Sequence, residues 1–183
     1  MKTLLIIALV LMSLVSFPSW GLTMDDLVQR NGIYFEKFTI EPFVGEVSGT
    51  ESGKFLNGQK VGQWIYYHSN GHPREITYYQ KGKKYGVSEW YNEKGQHEGK
   101  GNYKDGKEDG LWEINEGQFT GKGKYKDGRR DGLWLRYWDN GQLMDKGELR
   151  NGKQNGYWQS YNDDGTVLIA KTGTFRDGLK VTD

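Results

Sequence analysis

The sequence predicts an all-β chain: an antiparallel meander of β-hairpins in a single twisted sheet, preceded by a short N-terminal cap. Three observations carry that expectation. A unit seen as GNYKDGKEDGLW at Gly101–Trp112 recurs as GKYKDGRRDGLW at Gly123–Trp134, as GELRNGKQNGYW at Gly147–Trp158 and, more loosely, as GKFLNGQKVGQW at Gly53–Trp64. Glycines of the Asn/Asp/Lys-Gly type fall at Gly58, Gly82, Gly106, Gly128, Gly152 and Gly178, 22 to 26 residues apart, and such dipeptides supply the positive φ of tight hairpins. Only 35% of residues are hydrophobic while 14% are aromatic and 27 residues are Gly, a composition that suits ring-packed, turn-rich β-structure rather than layered aliphatic cores or disorder.

The chain divides into three parts. Residues 1–21 form a predicted signal peptide: Lys2 gives the positive start, Leu4–Val15 the apolar stretch, and Ser19-Trp20-Gly21 the small residues for cleavage after Gly21. The apolar run is too short to span a bilayer core of about 30 Å, so the mature chain is expected to be periplasmic or secreted and not an integral membrane protein. With no Cys, neither a lipid-attachment cysteine nor a disulfide framework exists. Residues 22–52 form the cap. Thr23 and Asp26 have capping-box spacing, and Met24, Leu27 and Val28 share a side, which predicts a short helix over Leu22–Arg30 ended by Asn31-Gly32. Ile33–Ile40 and Phe43–Val47 are predicted as extended chain around Pro42, with turns at Gly45, Gly49 and Gly53.

Residues 53–183 are the array, about six repeats of roughly 24 residues with the last truncated. A second glycine series (Gly62, Gly86, Gly110, Gly132, Gly156) follows the first, and a third (Gly71, Gly95, Gly117, Gly141, Gly165) closes the other end of each unit. The third repeat is two residues short between Trp112 and Gly117, and the fifth two residues long between Gly165 and Gly173. Turns every 11 to 13 residues leave strands of about six to eight residues joined as antiparallel neighbours. Asn70-Gly71 and Asn140-Gly141 are grouped here with the tight turns. Three aromatic positions recur: Phe55, Tyr79, Tyr103, Tyr125 and Phe175, with Leu149 the exception; Trp64, Trp112, Trp134 and Trp158, with Ser88 the exception; and Tyr67, Tyr91, Tyr137 and Tyr161. Each ring is expected to lie over a neighbouring glycine such as Gly53, Gly101, Gly123 or Gly173. Trp and Tyr stand three residues apart, so either a bulge separates them or both faces carry rings.

The unit G-x-[YF]-K-[DN]-G-K-x-x-G-x-W-x-x-Y, as in Gly123–Tyr137, resembles the MORN-repeat variant of bacterial proteins often labelled antitoxins of the YwqK family. Asp25–Gly49 is similar to the segment that precedes the repeats there, including Pro42-Phe43-Val44-Gly45, where Thr is more usual than Val44. The resemblance implies a MORN-like hairpin array, contact with proteins or membrane lipids, and no catalytic residues to carry over.

The chemistry-bearing residues point the same way. His68, His72 and Glu75 flank one turn and could suggest a metal, yet the set does not recur and no Cys accompanies it, so surface turn residues are expected. Asp163-Asp164 and Glu108-Asp109 sit in or beside turns, and Gly99–Gly101 and Gly121–Gly123 lack the Lys-Ser/Thr and helix of a phosphate loop. No enzyme, cofactor or metal site is predicted. With 25 basic against 24 acidic residues, nucleic acid is not an expected partner. The expected function is that of an exported, non-catalytic scaffold binding a protein or peptide through a sheet face or edge. Glycan or lipid-headgroup binding through exposed aromatic rows is the alternative, and an antitoxin-like, immunity-type role follows from the family label alone. The candidate surface is Trp64, Tyr67, Tyr91, Trp112, Trp134, Tyr137, Trp158 and Tyr161, positions whose regular recurrence also suits packing.

Overall fold

The computed structural model describes residues 21–115, 117 and 119–182; the predicted signal peptide, but for Gly21, lies outside the described residues. The cap differs from the expected helix. Asp26 does accept hydrogen bonds from the Thr23 backbone N–H at 2.8 Å and its hydroxyl at 2.9 Å, which hold its carboxyl below the ordinary aspartate range. Only a single 3₁₀ turn follows, Met24–Asp26. Leu27–Arg30 (β1) and Ile33–Glu36 (β2) then pair as an antiparallel hairpin about Asn31-Gly32, with φ of +50° and +80°. A type I′ turn demands positive φ at both central residues, which Asn-Gly supplies readily, and the hairpin also buries Leu27 against Phe43, Val47, Phe55 and Trp64. Those gains outweigh one helical turn. The extended run stops at Glu36, Phe38 turns outward, fully exposed, and Pro42 makes only an isolated bridge with Phe35. Gly45–Val47 (β3) starts the main sheet. Gly53 is no turn residue: it lies inside Glu51–Leu56 (β4).

The array continues as Gln59–Tyr67 (β5), Pro73–Gln80 (β6), Lys83–Lys84 (β7), Gly86–Tyr91 (β8), His97–Lys104 (β9), Lys107–Asn115 (β10) and Phe119–Lys126 (β11). Arg129–Arg130 (β12), Gly132–Trp138 (β13), Leu143–Arg150 (β14), Lys153–Ser160 (β15), Gly173–Arg176 (β16) and Leu179–Thr182 (β17) complete it. Strands β3 to β17 make one 15-stranded sheet in chain order, with β7 and β12 as short pieces on β6 and β11. Every pairing is antiparallel. The predicted meander is the fold.

Its two margins are built differently. At one, Asn57, Lys81, Asp105, Asp127, Asn151 and Asp177 have φ of +49° to +52° and each precedes a positive-φ glycine, so these are two-residue type I′ turns. At the other, Gly71 donates to His68 O at 3.0 Å and His68 N–H to His72 O at 2.8 Å; Gly141 and Trp138 repeat the arrangement with Trp138 O and Gln142 O. These are three-residue loops in which glycine alone takes positive φ, so Asn70-Gly71 and Asn140-Gly141 do not belong with the tight turns. The two extra residues of the fifth repeat are absorbed by a 3₁₀ turn, Ile169–Lys171.

A single sheet has no second layer, and the indoles replace it. Trp64, Trp134 and Trp158 are almost wholly buried and Trp112 nearly so. Each lies flat over the glycine of its own hairpin: a Cβ added at Gly53, Gly101, Gly123 or Gly147 would stand 2.2 to 2.3 Å from the ring. The indole N–H of Trp112, Trp134 and Trp158 donates to the carbonyl just beyond that glycine, at 3.1, 3.0 and 2.9 Å. Trp64 is the exception: its N–H has no partner among the described residues, and the Lys60 ammonium sits 3.8 Å above its ring. Neighbouring rings pack edge-on, as in Tyr103–Trp112 and Tyr125–Trp134, whose centroids are 5.4 and 5.5 Å apart. In the second repeat both partners change together. Ser88 takes the Trp position and Thr77 the glycine position, and their hydroxyls hydrogen-bond, fully buried. This pair separates a ring cluster around Trp64 from one around Trp112, Trp134 and Trp158.

Two expected outcomes follow from that packing. Gly123→Thr should clash with Trp134 and Trp134→Ser should leave a cavity costing about 3–5 kcal/mol. The double variant, which copies Thr77–Ser88, should be more stable than the summed single losses by about 1 kcal/mol or more in denaturant unfolding; strict additivity would refute the exchange. Removal of Gly123–Lys146 should leave a folded, shorter array by circular dichroism, because it restores strand direction and facing. Removal of Gly123–Trp134 alone reverses every later strand and should unfold the array beyond it.

Candidate binding face

The indole face and the opposite face differ in what they offer to solvent. Alternation along each strand places the residue before each Trp, and before Ser88, on the far side: Gln63, Val87, Leu111, Leu133 and Tyr157. Cross-strand register adds Tyr78 opposite Gln63 and shows Leu111 opposite Lys124 and Leu133 opposite Glu148. Tyr78, Val87, Leu111, Leu133 and Tyr157 are all exposed, Leu111 at 65% and Tyr157 at 59%. They form an apolar row across the array, Tyr78 and Val87 facing each other across one hairpin and Leu111, Leu133 and Tyr157 coming from the next three. A shallow depression of about 510 Å³ is lined by Val87, Glu89, Asn102, Leu111 and Glu113, and a second, sharing Val87 and Glu89, continues it past Ile76 and Tyr78.

A parallel row on this open face is charged. Register sets Glu89 against Lys100, Lys100 against Glu113, and Glu113 against Lys122. Lys122 Nζ lies 2.9 Å from Glu113 Oε1, and that hydrogen bond is the chief reason the Glu113 carboxyl titrates below its ordinary range. The pair is well exposed, so its value is orientation rather than stability.

The sequence-predicted surface is split between the faces. Trp64, Trp112, Trp134 and Trp158 are core and present no stacking platform to a ligand, because a single-layer sheet needs them as its filling. Tyr67, Tyr91 and Tyr137 lie on the open face, half-buried: the Tyr67 hydroxyl is 3.2 Å from Ser52 Oγ and that of Tyr91 donates to Glu89 at 2.6 Å. Bulges do occur at Tyr66/Tyr67, Trp90/Tyr91 and Arg136/Tyr137, but the extra residue is on the partner strand, so both faces carry rings. Tyr161 follows β15 and bridges Val167. The exposed row was missed from sequence, although for Leu111, Leu133 and Tyr157 its signal is plain afterwards: the x of G-x-W.

His68 and His72 act in the loops rather than as a metal pair. His68 Nε2 donates to Tyr91 O and His72 Nδ1 to Glu93 O, both at 2.8 Å, tying one loop to the next. Glu75 pairs instead with Lys84. Among the described residues no group of three or more His, Cys, Asp or Glu could hold a metal ion. On the indole face, Lys60 pairs with Glu51 at 2.6 Å and donates to the Tyr66 hydroxyl at 3.1 Å. Burial, and secondly the hydrogen bond with Tyr79, pushes the Tyr66 phenol far up, so these groups are packing, with the Lys60, Glu51, Tyr66 and Tyr79 polar atoms bonded to one another.

Three segments of the chain, residues 60–81, 84–105 and 130–151, match the family described as MORN repeat variant. Each matched segment runs from just after one tight turn to the next. The third repeat, two residues short, and the fifth, two residues long, lie between and beyond the matches. Three units of this hairpin-repeat array are thus of the MORN type. No curated protein matches the chain. Among the described residues no helix is long and apolar enough to cross a membrane.

Proposed function

We propose that the chain is an exported, non-catalytic scaffold that binds a protein or peptide along the open face of its sheet. The observation that carries this reading is the exposed row Tyr78, Val87, Leu111, Leu133 and Tyr157, whose first three members line a continuous depression. Exposed apolar surface rimmed by polar groups marks interaction sites; Leu133 and Tyr157 continue the row with Lys124 and Glu148 between its members, and repeat arrays present such extended surfaces. MORN-type repeats support a binding role as well. Glycan stacking draws less support, because the four indoles are interior and only Tyr78 and Tyr157 expose large rings on this row. An antitoxin-like partner, suggested by the family resemblance alone, would use the same face.

Photocrosslinking from Leu111 and Leu133 in envelope extract should capture a discrete protein, and Leu111→Asp with Leu133→Asp should abolish the capture. These exposed sites should change stability by no more than about 0.5 kcal/mol each. Equal capture by the doubly charged variant would overturn the reading. For export, protein recovered from the periplasm or medium should begin at Leu22 by mass spectrometry; protein starting at Met1 and confined to the cytoplasm would count against it.

A further inference from the structure

We infer that the open face takes an extended acidic segment in which acidic and apolar residues each recur at every third position. The inference rests on the scaffold reading above and names the chemistry of the partner. A net charge of +1 conceals a strongly basic margin. At the tight turns, register places Lys104 directly opposite Lys107, Lys126 opposite Arg129, and Arg150 opposite Lys153. Lys83 and Arg176 extend this line at its two ends. All eight side chains are exposed, and none forms a hydrogen bond or ion pair among the described residues. The carboxylates at the same turns and bulges, Asp105, Glu108, Asp109, Asp127, Asp131 and Asp177, are fewer. Like charges directly opposed on one face weaken a hairpin, yet three successive tips repeat the arrangement. An anionic ligand relieves it.

The cations lie on the open face. Lys104, Asn102 and Lys100 alternate with the ring-face residues of β9, as Lys126, Lys124 and Lys122 do on β11. The basic line therefore runs alongside the apolar row of Leu111, Leu133 and Tyr157, one level further along the strands. Two parallel tracks, one cationic and one apolar, call for a ligand with both characters. A nucleic acid strand leaves the leucines without a partner.

Period and twist narrow the ligand further. Successive hairpins advance by two strand spacings, about 9.5 Å. A polyproline-type chain advances about 9.3 Å in three residues and keeps every third side chain on one side. An α-helix advances about 10.5 Å in seven residues and slips by about 1 Å per hairpin. Adjacent strands rotate by about 20–25°, so the three paired tips fan out and a flat bilayer meets them one at a time, whereas a flexible chain follows them.

The test uses the mature chain and a blocked, fluorescently labelled peptide of repeated Leu-Pro-Glu units, read by anisotropy. Binding should be saturable, should weaken with added salt, and should fall at least tenfold both for Lys107→Glu/Arg129→Glu/Lys153→Glu and for a peptide with Gln in place of Glu. Circular dichroism and thermal unfolding establish that the variant remains folded. Undiminished binding by either would overturn the inference, as would absence of peptide binding alongside binding to phosphatidylglycerol vesicles, or mass increases showing that the chain's own copies fill the face. A partner captured from extract that is lost with Leu111→Asp/Leu133→Asp but kept with the triple charge reversal would leave the scaffold reading standing and remove this one.

Discussion

The contact between each indole and the glycine across its own hairpin is the interaction on which the array depends. A one-layer sheet cannot bury side chains between layers, so its filling must lie flat on its own backbone. Glycine leaves the space, Trp fills it with the largest available ring, and the indole N–H finds the next carbonyl, as in Trp134 to Lys124. The requirement is mutual, and the second repeat shows this: where Ser88 replaces the ring, Thr77 replaces the glycine and the two hydroxyls bond. A Thr over an indole would collide, and a Ser over a glycine would leave a void.

Cohesion along the array comes from the margins. The glycine N–H of each tight turn donates to the preceding unit, as Gly106 does to Lys84 O and Gly152 to Arg130 O. At the other margin, Asn70 and Asn140 donate to Glu93 O and Asp163 O in the following loops, at 2.7 and 2.8 Å. Units are thus tied to their neighbours through their strands and at the tight-turn margin, and at two of the loops as well, which is the nearest-neighbour logic of repeat proteins. Because one face and two margins supply this cohesion, the second face is released from structural duty. Its Leu111, Leu133 and Tyr157 have no packing role to explain them.

Much of the architecture was legible in the chain because its signals are local. Asn-Gly and Asp-Gly impose their backbone geometry on adjacent residues, and their spacing sets strand length and direction without any distant contact. The cap misled for the same reason. Thr23 and Asp26 do make the expected local contact, but a capping pair starts only what the following residues sustain. Asn31-Gly32, together with burial of Leu27 against Phe43 and Val47, made the next residues strand. Likewise the three-residue loops at Gly71 and Gly141 share a dipeptide with the tight turns and differ in the closing pair, which lies on another strand.

By itself, the sequence determined the hairpin period, the turn positions, the antiparallel order and the recurrence of rings over glycines, since each follows from φ preferences and spacing along one chain. Only the tertiary structure decided which rings are core and which surface is free. Facing depends on cross-strand register and on irregularities between the tight turn and the Trp, as between Val61 and Trp64 and between Glu108 and Trp112, so Trp64, Trp112, Trp134 and Trp158 turned inward while the residues preceding them turned out. The basic margin has the same origin: Lys104 and Lys107, two bases with a turn between them in the sequence, become a directly opposed pair only when the hairpin closes.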